Sequence, residues 1–156
     1  MRGAVKNRNT REPDIKYKSL EVSQLINYIM WGGKKTVAEK VVYSAFDEIK
    51  KQLKVDDPME TFKTALRNAG PGIEIRSRRV GGANYQVPRE VRQERRSFLA
   101  LRWIIGAARA KKGSPMAKKL ADDIIAASKN EGEAIKKREN VHKMAEANKA
   151  FAHFAW

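Results

Sequence analysis

The chain contains no cysteine, which excludes disulfides, thiolate nucleophiles and every zinc site that uses sulfur. Histidine occurs only as His142 and His153, too few and too far apart to build a metal centre alone. Long apolar runs are missing too. The most apolar stretch, Phe98 to Ala108, is interrupted by Arg102 and falls well short of the roughly 20 residues a membrane span requires. Residues 1–18 hold six basic side chains and no apolar segment, so a secretory signal is not expected. These absences point to an intracellular, cytoplasmic protein with no membrane partner.

Acid is the scarce charge. Eighteen Asp and Glu stand against 33 Lys and Arg, a formal net charge of +15 in 156 residues, with an isoelectric point near 10.2. A compact domain with that excess repels itself unless a polyanion screens it, so nucleic acid is the first candidate partner. The length corresponds to one ordinary domain spanning residues 1–156. At this size folding buries roughly 68–70% of the unfolded surface, so the core needs no staple.

Residues 1–18 lack helical periodicity, and Pro13 further discourages a helix; they read as a basic extended arm carrying Arg2, Lys6, Arg8 and Arg11. From Ser19 the rhythm is helical. Val22, Leu25, Ile26, Ile29 and Met30 share one face, and Gly32-Gly33 ends it. A second helix from about Lys35 to Leu53 buries Ala38, Val41, Val42, Ala45, Ile49 and Leu53. A third opens on Asp57 as N-cap, Pro58 at the first helical position and Glu60 completing a capping box. It buries Phe62, Ala65, Leu66 and Ala69, and stops at Gly70-Pro71.

The period then switches to 2. Residues 73–80 and 83–88 flank Gly81-Gly82, a two-residue turn of the kind a tight hairpin needs. This register sets Arg78 opposite Tyr85 and Arg76 opposite Val87 on one face, with Arg79, Asn84 and Gln86 on the other. Beyond Pro88 a fourth helix carries the stripe Val91, Glu94, Phe98, Leu101, Ile105 and Ala108, and ends at Gly113. Ser114-Pro115 start a fifth, with Met116, Leu120, Ile124 and Ala127 inward. A sixth runs from about Glu133 to Ala147. The expected fold is mainly α: a six-helix bundle with a two-stranded hairpin, residues 73–88, between helices three and four.

No catalytic constellation is present. Gly32-Gly33-Lys34-Lys35-Thr36 is not a phosphate loop, because Tyr28 stands where the Walker pattern needs glycine and a helix precedes it instead of a strand. Asp56-Asp57 reads as a cap. Asp122-Asp123 reads as an exposed pair beside Lys118 and Lys119 forming surface ion pairs, and His142 as a surface residue. No cofactor, metal or small-molecule substrate is expected, and the chain is not read as an enzyme.

Arginine is unevenly spread. Eight of the 14 fall between positions 76 and 102: Arg76, Arg78, Arg79, Arg89, Arg92, Arg95, Arg96 and Arg102, with no lysine among them. The guanidinium fork suits phosphates and base edges and stacks on π faces. Lys34 and Lys35 form a turn able to meet a phosphate backbone. Lys136, Lys137, Arg138 and Lys143 make a second cluster on the last helix.

The run Arg76-Ser77-Arg78-Arg79-Val80-Gly81-Gly82-Ala83-Asn84-Tyr85-Gln86-Val87-Pro88 resembles the hairpin of the universal ribosomal protein seven family of the small subunit, in its bacterial form. The resemblance continues through Glu90-Val91-Arg92, Arg95-Arg96 and Leu99-Ala100-Leu101-Arg102-Trp103. It extends to Lys143-Met144-Ala145-Glu146-Ala147-Asn148-Lys149-Ala150-Phe151-Ala152-His153, and upstream to Leu25-Ile26, Gly33-Lys34-Lys35 and Val41-Val42. It implies a helical bundle with an extended hairpin and a primary rRNA-binding protein that nucleates the three-prime major domain of the subunit head. It also implies a hairpin tip (Gly81, Gly82, Ala83, Asn84, Tyr85) near the exit-site tRNA and messenger exit path, proteins nine and eleven as neighbours, and autogenous repression in some members. Two departures stand out. Bacterial members often end in an aromatic, Arg and Trp, whereas Phe154-Ala155-Trp156 lacks that arginine. Asn68-Ala69-Gly70-Pro71-Gly72 is also richer in glycine than usual, which would loosen the hairpin base. The alternative from another class is a DNA-bending architectural protein with its arginine hairpin in a minor groove.

Overall fold

A computed structural model describes residues 12–154. Arg2, Lys6, Arg8 and Arg11 of the expected arm, and the terminal Ala155-Trp156, lie outside the described residues. Six α-helices run in order: α1 (Leu20–Ile29), α2 (Lys35–Leu53), α3 (Pro58–Ala69), α4 (Gln93–Ala110), α5 (Met116–Ser128) and α6 (Glu133–Ala147). Strands β1 (Ile73–Val80) and β2 (Ala83–Glu90) form one antiparallel hairpin between α3 and α4, and a 3-10 helix spans Lys149–Phe154. Among the described residues no helix is long and apolar enough to cross a membrane.

The bundle closes around α5, which packs against α2, α3 and α4. Leu120, Ala121, Ile124 and Ala127 are fully buried, and the two alanines let neighbouring helices approach closely. At roughly 25 cal/mol per Å² of apolar surface removed from water, such side chains dominate the stabilisation. On α2 the stripe differs from expectation: Val41 and Leu53 are half-buried, and Phe46 is fully buried. Phe46 meets Phe62 of α3 at 5.5 Å between ring centres, joining the two helices. α3 opens on the expected cap and first residue, Pro58, since the Asp57 carboxylate accepts the Met59 N–H at 2.8 Å.

The hairpin is longer than expected. Pairing runs from Ile73 opposite Glu90 to Val80 opposite Ala83, and Pro88 is tolerated because both strands are edges. Val91 then donates its N–H to Gly72 at 3.0 Å, so α4 begins only at Gln93. Val91 therefore precedes the helix, and Glu94 is exposed in its first turn. The helix ends at Ala110, before Gly113, whose φ of +86° belongs to the following turn.

Three further expectations are corrected. The described part of the expected arm, residues 12–18, is tied down through Asp14, which is 7% exposed, its carboxylate accepting the N–H groups of Lys16 and Tyr17 at 3.1 and 3.0 Å. The Tyr43 hydroxyl donates to Asp14 at 2.8 Å, and the Tyr17 ring meets Phe46 edge-on at 5.0 Å. Asp123 is not a surface ion pair with Lys118 or Lys119. It is 4% exposed and bound by Lys111 Nζ at 2.6 Å; burial pushes its carboxyl up, and Lys111 opposes that only in part. Gly70 does not loosen the hairpin base either. It is buried, and a Cβ there would lie 2.7 Å from Arg96 Cγ, so glycine is what lets that arginine close over the turn.

The Asp14–Tyr43 bond makes stability pH-dependent. Burial first, then the bond to Asp14, pushes the Tyr43 phenol from 10.0 up to about 12. The fold keeps the protonated form, so the contribution is complete below pH 10 and is lost as pH rises towards 12. Tyr43→Phe is expected to cost about 1.5–3 kcal/mol at neutral pH, as loss of a hydrogen bond to a charged group. Its urea-unfolding stability should fall less steeply than wild type between pH 10 and 12. Parallel pH profiles would refute the assignment.

Candidate nucleic-acid interface

Gly81 and Gly82 take φ values of +58° and +90°, the pattern of the two-residue turn whose twist matches that of paired strands. The register places Arg78 opposite Tyr85, Arg76 opposite Val87 and Arg79 opposite Asn84, so the faces fall as the alternation implies. One face is anchored. Val87 is buried, and the Tyr85 ring lies 5.2 Å from both Phe151 and Phe154 of the 3-10 helix. The Arg78 guanidinium donates to the Phe154 carbonyl. Tyr85 is thus a packing residue, not an open stacking plane. Gly81, Gly82, Ala83, Asn84, Arg79 and Gln86 are exposed and form the outward tip and face.

At the hairpin base the arginines divide by role. Glu74 pairs with Arg95 at 3.2 Å and Arg76 at 3.7 Å, and the Arg95 guanidinium lies 5.1 Å from the centre of the Phe98 ring. Arg96 donates to the carbonyls of Gly70 and Arg67, both at 3.2 Å. Arg138 donates to the Asn68 carbonyl at 2.5 Å. His142 is exposed as expected, yet its Nε2 accepts the Gly72 N–H at 3.2 Å. Arg96, Arg138, Lys143 and Arg67 line one concavity together with Glu139 and Glu146. Arg89 is half-buried in β2, and Arg92 is exposed at the N-cap of α4.

The remaining candidates lie elsewhere. Lys34 is exposed at the N-cap of α2 and Lys35 is exposed at its first position, 3.9 Å from Glu39. Lys136 is engaged by Glu133 at 2.9 Å; that contact lowers the glutamate's pKa and raises the lysine's. Arg102 and Lys137 come together across α4 and α6, lining one hollow with Arg109. Sequence reasoning passed over Arg109 and Trp31. Trp31, 79% exposed, was legible as an aromatic directly before the Gly32-Gly33-Lys34-Lys35 turn; Arg109 carried no local signal.

Because Tyr85 ties the hairpin to the 3-10 helix, Tyr85→Ala should loosen the hairpin alone. Amide exchange in residues 73–90 is expected to speed up markedly, while protected amides of α2 and α5 keep their rates. Uniform acceleration, or none, would contradict this anchoring.

Comparison with known proteins bears on what these surfaces meet. The family model described as ribosomal protein S7p/S5e matches residues 1–149. The small ribosomal subunit protein uS7 of Thermotoga neapolitana is 58% identical over 144 residues, covering 92% of each chain. The proteins of the same name from Phenylobacterium zucineum and Caulobacter sp. are 55% and 54% identical over the same shares. A match over nearly the full length, with the arginine hairpin on a helical bundle, settles the kinship: the chain belongs to the ribosomal protein S7p/S5e family.

Proposed function

We propose that this chain is a structural, non-catalytic constituent of the small ribosomal subunit that binds small-subunit rRNA directly and nucleates folding of the three-prime major domain into the head. The observation that carries the reading is a hairpin fastened through part of one face, with guanidinia left exposed on both faces. Arg78 and Tyr85 fasten it to the 3-10 helix, while Arg76 and Arg79 stay exposed. Rigidly held guanidinia displace condensed counterions where RNA helices converge, favouring the compact junction over open forms. The helical bundle holds the hairpin, the start of α4 and α6 in fixed relation, so the cations act as a template. The small, flat tip at Gly81-Gly82-Ala83 extends past the rRNA-binding arms toward the exit-site tRNA and messenger path. Proteins nine and eleven are the neighbours in the assembled head. A message that copies the rRNA junction would compete for the same cations, which gives a route to autogenous repression.

Salt dependence tests this directly. Replacing Arg76 and Arg79 with Ala should leave the fold intact. The slope of log affinity against log salt for a three-prime-domain rRNA fragment should shrink by roughly 0.7–0.9 per lost phosphate contact. Lys replacements should restore the slope but only part of the affinity, because a point charge lacks the planar fork. Lys50→Ala with Lys51→Ala on α2 serves as the control. An all-deoxy version of the fragment should bind far more weakly. An unchanged slope in the arginine variant, or equal binding of RNA and DNA, would overturn the reading.

A further inference from the structure

Where α1 ends, α4 and α6 enclose a hollow of about 660 Å³, within the roughly 300–1,000 Å³ span of sites that take small ligands. Three aromatic rings line it, Tyr28, Phe98 and Trp103, with the cations Arg102, Arg109 and Lys137 and no carboxylate. Tyr28 and Phe98 meet edge to face at 5.5 Å. Trp103 is half-buried against the core, so its ring is held in place. Arg109 is fixed by donating to the carbonyls of Tyr28 and Ile29 at 3.3 and 3.1 Å. Its guanidinium also lies 5.7 Å from the centre of the exposed Trp31 ring.

Gly106 lines the same hollow from within α4, about one turn before its C-terminal end. Glycine there disfavours the helix relative to alanine, and packing does not require it. An added Cβ would meet only Lys137 Nζ, at an ordinary 3.8 Å. What the missing side chain supplies is depth.

We propose that this hollow seats one unpaired nucleobase of single-stranded RNA, its π face against the aromatic lining and its flanking phosphates on Arg102, Arg109 and Lys137. The inference rests on the rRNA-binding reading and deepens it by naming what one part of the surface takes. Three cations alone would suit any anion. Paired with three rings and no acid, they fit a ligand that carries a flat aromatic group and negative charge together, which an acidic peptide does not. Base stacking of this kind is tolerant of base identity, and exposed Trp31 offers a plane for the neighbouring nucleotide.

The test uses the full chain and a fluorescein-labelled hexauridylate, compared by anisotropy with the same strand made abasic at its central positions. Wild type should bind the intact strand roughly tenfold more tightly, the contribution of about one stacked base. Gly106→Leu, which intrudes on the floor of the hollow without removing charge, should bring the intact strand down to the abasic level with an unchanged salt slope. Gly106→Ala should keep most of the preference. If leucine disturbs the helix by circular dichroism, Phe98→Asn provides the same comparison. Equal binding of intact and abasic strands by wild type would overturn the proposal, as would full preference in the leucine variant. So would displacement by polyglutamate as effective as by RNA of equal charge. Binding of the rRNA fragment is measured in parallel: loss of that binding strikes the rRNA reading itself, whereas intact rRNA binding without base preference strikes only the hollow.

Discussion

The architecture depends on how the ends of its helices are satisfied. The last carbonyls of an α-helix have no partner within it, and the end carries partial negative charge. Here side chains from neighbouring elements supply the missing donors. Arg96 and Arg138 gather the carbonyls of Arg67, Asn68 and Gly70 where α3 stops. Arg109 does the same for α1. Asn68 in turn donates to Ala127 and Ser128 at the end of α5, at 3.1 and 2.9 Å. Each bond crosses between elements, so the polar ends lock the helices while the apolar faces press them together.

That arrangement divides the cations of the described residues into two populations. Some cations are internal fittings, placed against backbone carbonyls or, like Lys111, against a buried carboxylate. Others, including Arg79, Arg92, Arg102 and Lys137, are exposed and remain available to an external polyanion. The first population fixes the geometry in which the second is presented. An arginine-to-alanine change is therefore ambiguous unless its place is known, since loss at Arg96 unpicks a helix end and loss at Arg79 removes surface charge.

The helices were legible because their apolar stripes are clean, and the hairpin because Gly81-Gly82 separates two runs of period 2. Boundaries failed where local chemistry was overridden. Pro88 suggested an end to the strand, yet an edge strand has no need of that N–H. Asp122-Asp123 looked like a solvated pair, but the partner that compensates Asp123, Lys111, lies across the turn between α4 and α5. Asp14 and Tyr17 looked like part of a charged tail because their partners lie on α2: Tyr43, which donates to Asp14, is 29 positions away, and Phe46 meets the Tyr17 ring. At the interface the sequence located the arginines but not their partners. The division between Arg96 and Arg102, six positions apart on α4, is made by the backbone of α3, which no local pattern encodes.

The clamp on the hairpin also sets an order of events during synthesis. Arg78 and the Phe154 carbonyl that receives it are 76 residues apart. At roughly 5–20 residues per second, the strands leave the polymerising machinery about 4–15 s before the segment that fastens them. For that interval the hairpin has its turn and its ladder but not the aromatic seat of Tyr85, and a lone two-stranded hairpin is marginal in water. The hairpin is thus fastened only once the segment that follows α6 has emerged, so until then a nascent chain carries Arg76 and Arg79 on strands that nothing yet holds against the bundle.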